Sequence, residues 1–140
     1  LAFNYHTNTA VSSLLVVCPL TATSVGEAAV LLEGETVIGD KETASTWYFP
    51  VFTDLGLLVA ESEMHPPFEL VSTGRGVIID PTGGDENGTV EYQPGTVVDQ
   101  DTDPSGHYVI YVLDDGSVHW LSTTGERGTL AEEGFRSASW

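Results

Sequence analysis

Glycine and proline break every apolar run of this sequence within a few residues, and that spacing limits what the chain can fold into. Val11 to Cys18 reads as a strand stopped by Pro19. Thr46 to Phe52 is the most aromatic stretch, with Pro50 inside it. Proline cannot donate to a strand ladder, so this segment belongs at a sheet edge or at a bulge. Leu57 to Ala60, Phe68 to Ser72, Val77 to Asp80 and Thr89 to Gln93 are further short strand candidates. Between them stand Pro66-Pro67, Gly74-Arg75-Gly76 and Pro81-Thr82-Gly83-Gly84, all turn chemistry.

The clearest local element is a hairpin. Tyr108 to Leu113 leads into Asp114-Asp115-Gly116, and Ser117 to Leu121 returns. The Asp-Gly pair supplies the positive φ that tight hairpins need, and β-branched and aromatic residues flank it. Around Ser24 two structures compete. Ser24 and Glu27 have capping-box spacing before Ala28 to Leu32, with Gly34 as a helix stop. The same apolar run also suits a strand after a turn at Thr21 to Thr23, and the strand is favoured.

These signals predict a mainly β chain: a single-domain β-sandwich or small β-barrel of short antiparallel strands, with at most one short helix. With 140 residues, no repeat and no linker, residues 1–140 form one acidic β-domain. A hydrophobic content of 41% supports a folded core despite the charge. Cys18 is the only cysteine, so no disulfide framework or paired-cysteine metal site exists; within Leu14 to Cys18 it reads as a small buried hydrophobe. That run is far shorter than the roughly 20 residues that cross a bilayer.

Charge then filters function. Asp and Glu number 21 against four cations (Lys41, Arg75, Arg127, Arg136), for a net charge of −17. Such a surface repels phosphate backbones and anionic lipid, so neither nucleic acid nor membrane insertion is expected. Adaptation to high salt, a basic protein partner and calcium binding all remain compatible with it.

The acids also devalue carboxylate clusters as signals. Asp99, Asp101 and Asp103 alternate, as calcium loops do to converge oxygens on one ion, and they are the candidate calcium site; otherwise no cofactor is expected. Pro104 and Ile110 occupy the positions where the helix-flanked calcium loop has glycine and glutamate. Asp80, Asp85, Glu86 and Asn87 form a weaker oxygen cluster. His6, His65, His107 and His119 show no metal spacing, and His119 is expected on a partly exposed strand face. Asn87-Gly88-Thr89 fits the glycosylation pattern in an exposed turn. No nucleophile elbow, phosphate loop or zinc helix motif is present.

For binding, the aromatics stand out. Trp47, Tyr48, Phe49 and Phe52 lie together, and Trp140 lies elsewhere. Strand alternation points some of the first group away from a two-layer core that holds Trp47 or Phe49. The expected function is therefore a non-catalytic structural or interaction subunit of a virion, filament or surface assembly. Its partners would be copies of itself or other subunits, in an extracellular or virion setting. An acidic inhibitor of a basic protein is the alternative, and a small β-barrel hydrolase or lyase the second.

Overall fold

The computed structural model describes residues 2–6, 11–36, 44–65 and 69–140. Among them no helix occurs. The strands are β1 (Ala2–His6), β2 (Val11–Val17), β3 (Ala29–Thr36), β4 (Ala44–Thr53), β5 (Gly56–His65), β6 (Glu69–Ile79), β7 (Glu86–Glu91), β8 (Val97–Thr102), β9 (Tyr108–Leu113), β10 (Val118–Ser122) and β11 (Arg127–Ala131). They form three antiparallel sheets, ordered β1-β2-β3, β4-β5-β6-β7 and β11-β10-β9-β8. Within each sheet, every strand pairs with its neighbours in sequence.

The middle sheet is covered on both faces. Leu57, Val59, Val77 and Ile79 face the first sheet, where Ala2, Val17 and Leu31 pack on them. Their alternates Leu58, Ala60 and Ile78, with Val90 and Tyr92, face the third sheet and meet Val97, Val109, Tyr111, Leu113 and Leu121. The expected β-sandwich-like fold of short antiparallel strands is thus present, with a core of two slabs between three sheets. The uninterrupted runs Leu57 to Ala60 and Val77 to Ile79 follow from this, because neither side of those strands meets water. Each fully buried side chain of this size contributes about 1.5–3 kcal/mol.

Several expectations are corrected locally. Gly74-Arg75-Gly76 does not separate two strands: β6 runs through it as a bulge, with Ala60 opposite Gly76 and Ser62 opposite Ser72. Asn87 lies within β7 on a strand, not in a turn, and its side chain donates to the Leu55 carbonyl at 3.4 Å. His119 is buried, with 7% of its surface exposed, because it shares the inner face of β10 with Leu121. Pro66-Pro67 lies outside the described residues.

Other expectations hold. Thr21 to Ser24 is a turn, and Ala29 onward is a strand. β4 is an edge strand whose register shifts between Tyr48 and Val51, so Pro50 sits in a bulge. The β9–β10 connection is a three-residue loop in which Gly116 N–H donates to the Leu113 carbonyl and Gly116 has φ 82°. The same form recurs between β10 and β11, with Gly125 N–H donating to Ser122.

Candidate functional site

After β11 the chain crosses the outer face of the third sheet as a strap. Phe135 N–H donates to the Gly116 carbonyl at 3.0 Å, Ala138 N–H to Asp99 Oδ2 at 3.1 Å and Trp140 N–H to Asp101 Oδ2 at 3.1 Å. Asp99 and Asp101 alternate along β8, so both project from one face and hold the tail at two successive points. The alternation that suggests calcium is used here to fasten main chain.

Asp103 has a different role. Its Oδ2 accepts from Ser105 Oγ at 2.6 Å and its Oδ1 from Tyr108 N–H at 2.9 Å. The Ser105 hydroxyl, followed by the Tyr108 amide, holds its carboxyl below the usual range. Asp80 is anchored in the same manner by Thr82, whose hydroxyl lowers its pKa. Glu86 pairs with Arg75 at 2.9 Å. Among the described residues, no three His, Cys, Asp or Glu side chains converge as a metal site needs.

Of the interaction candidates, Tyr48 and Phe49 are half-buried, and Phe49 packs against the inner core beside Val51. Phe52 is exposed, while the Trp47 side chain lies outside the described residues. Trp140 lies at the rim of an apolar pocket of about 310 Å³ with Tyr108, Trp120 and Leu130. The Trp47–Phe52 group and Trp140 are therefore separate features of the surface.

One acid–base arrangement joins three turns. His107 Nδ1 lies 3.0 Å from Asp54 Oδ2 and 3.1 Å from Thr123 Oγ1. The His107 hydrogen bond pulls the Asp54 pKa downward against a small burial effect. Asp54 N–H also donates to Gly106, and Thr123 N–H to His107, so the backbone closes the same junction. Both side-chain contacts use Nδ1, which makes this a turn-to-turn clasp; the hydroxyl does not sit at Nε2, where a histidine-activated nucleophile would stand. Ser117 and His119 form a second hydroxyl–imidazole pair at 2.7 Å, with His119 Nδ1 against Thr129 at 3.0 Å; the pair is buried and its ring stacks on Tyr111.

Sequence inspection by motif passes over a different feature. Residues 1–26 contain no Asp, Glu, Lys or Arg, and Glu27 is the first charged side chain. At the overall charged content of 18%, a stretch this long would carry four to five. From Pro19 to Val30 this region forms an exposed arm, closed by Gly26 N–H donating to the Pro19 carbonyl at 2.7 Å and by a bridge between Leu20 and Val25. Leu20 (62% exposed), Val25 (66%) and Val30 (54%) point into solvent. Charge distribution along the chain, rather than net charge, is the signal that finds it.

Comparison with protein-family models and with curated proteins returned no match.

Proposed function

We propose that this protein is a non-catalytic structural or interaction subunit that assembles through the charge-poor arm at residues 19–30, whose one charged side chain is Glu27. The observation that carries this is the scarcity of charge there: residues 1–26 hold no Asp, Glu, Lys or Arg and the arm adds only Glu27, on a chain of net charge −17. Two copies approaching through carboxylate-covered surfaces repel each other, and burying those carboxylates costs desolvation. An arm with three exposed aliphatic side chains and a single acid, Glu27, meets far less of either obstacle. It matches the charge-depleted centre of a protein–protein interface.

A virion, filament or surface layer suits such a subunit, and high salt would favour its assembly by screening the remaining repulsion. The acidic-inhibitor alternative draws less support. Among the described residues, exposed carboxylates stand at both ends of the third sheet's hairpins, Asp54 at one and Asp114 and Asp115 at the other, and so are not confined to one end.

Light scattering after size exclusion, at low and high salt, tests the proposal. We expect a concentration-dependent oligomer that strengthens with salt. Val25→Asp should weaken association about tenfold or more, as loss of an interface anchor does. A monomer at every concentration and salt would refute the assembly role.

A further inference from the structure

We propose that the pocket between Tyr108, Trp120, Leu130 and Trp140 is a binding site for a methylated ammonium group. It uses no residue of the arm and stands apart from the assembly role.

The four side chains come from four segments that the fold brings together. Tyr108 opens β9 and Trp120 lies in β10; their rings meet at 5.9 Å and 65°, two walls of a corner. Leu130 comes from β11 at a bulge, where Val118 pairs with Ala131 but His119 pairs with Thr129. Leu130 is the extra residue, and it stands exposed. Trp140 stands at the rim on the far side of this shallow, open depression, positioned by its amide on Asp101. The strap therefore completes the pocket, and Asp101 supplies a carboxylate beside its Trp140 wall.

The wall's chemistry selects the ligand. At about 310 Å³ the pocket is at the small end of ligand sites. It offers ring surfaces and a leucine, with almost no atom able to hydrogen-bond. A sugar or a peptide backbone entering it would leave its own polar groups unpaired. A primary ammonium would lose three hydrogen bonds to water in the same way. A methylated ammonium has few or no N–H groups to satisfy and a charge spread over its methyls, and aromatic faces attract it. The field of a −17 molecule concentrates cations at its surface and excludes anions. Apolar lining and negative field together favour a cation of this kind over a neutral apolar guest.

Choline chloride is the probe, titrated calorimetrically into the full chain at low salt. Saturable binding in the millimolar range is expected from about three ring contacts. The uncharged isostere 3,3-dimethylbutan-1-ol should bind about tenfold more weakly or worse. Trp140→Leu keeps apolar bulk at an exposed position, so the fold should persist, as circular dichroism would check. It should weaken choline about tenfold, while Trp140→Phe retains most binding. Equal affinity for choline and the alcohol, unchanged choline binding in Trp140→Leu, or no saturation would each overturn the proposal.

Discussion

Gln100 joins two sheets through one amide group. Its Oε1 accepts from the buried Tyr92 hydroxyl at 2.7 Å, and its Nε2 donates to the carbonyl of Phe49. Phe49 has φ 52°, a conformation that side-chain-bearing residues seldom hold, at the bulge that Pro50 imposes. Gln100→Ala leaves both partners unpaired inside the protein and should cost about 2–4 kcal/mol in urea unfolding, against about 1 kcal/mol for Tyr92→Phe. Asp103 gives a pH-dependent counterpart. Its folded pKa is depressed, so its contribution is present above the ordinary carboxylate range and lost as pH falls through the folded value. Asp103→Ala should lower the melting temperature at neutral pH, and the gap to wild type should close in strong acid, where the native carboxyl is protonated as well. Proline and the Asp-x-x-Gly spacing make these turns legible in sequence. Gln100 is not, because the groups it satisfies lie in other strands and nothing near it in sequence marks it.

The strap rests on three main-chain amides, and one glycine sets its path. A Cβ at Gly116 would lie 3.0 Å from Gly134 N and 3.1 Å from the Phe135 carbonyl oxygen, besides requiring φ 82° of an alanine. Gly116→Ala should cost about 1–3 kcal/mol. Replacing both Asp99 and Asp101 by alanine should leave the core intact but raise hydrogen exchange at Ala138 and Trp140 selectively; equal exchange in mutant and wild type would show that the strap holds by its apolar contacts alone. The period-2 spacing of these aspartates is legible, since it places both on one face of β8. What they bind is not, because the tail amides are some forty residues away and carry no side-chain signature. Gly74 illustrates a similar limit. A glycine pair shows that a ladder is interrupted, but whether the chain turns back or bulges and continues depends on whether β5 extends far enough to pair with both halves, and it does.

For the molecule as a whole, β character, short antiparallel strands and the central hairpin can be read from the sequence because they follow from local spacing. The third layer is legible only in retrospect, as unbroken apolar runs where a half-exposed strand would alternate: Leu57 to Ala60 and Val77 to Ile79. Its covering strands β1 to β3 carry no distinctive motif of their own. The arrangement has a consequence for how the chain can be divided. Since every sheet is a meander of consecutive strands, the chain passes from the middle sheet to the third in a single crossing, at Gln93 to Thr96. A cut between Pro94 and Gly95 would sever no ladder. The two fragments would still share the inner slab and the Tyr92–Gln100 bond, and when mixed they should reassociate into a native-like complex with the parent's circular dichroism. A protein whose architecture is contiguous in sequence is therefore a natural split pair, and its complementation would report directly on the interface between its own layers.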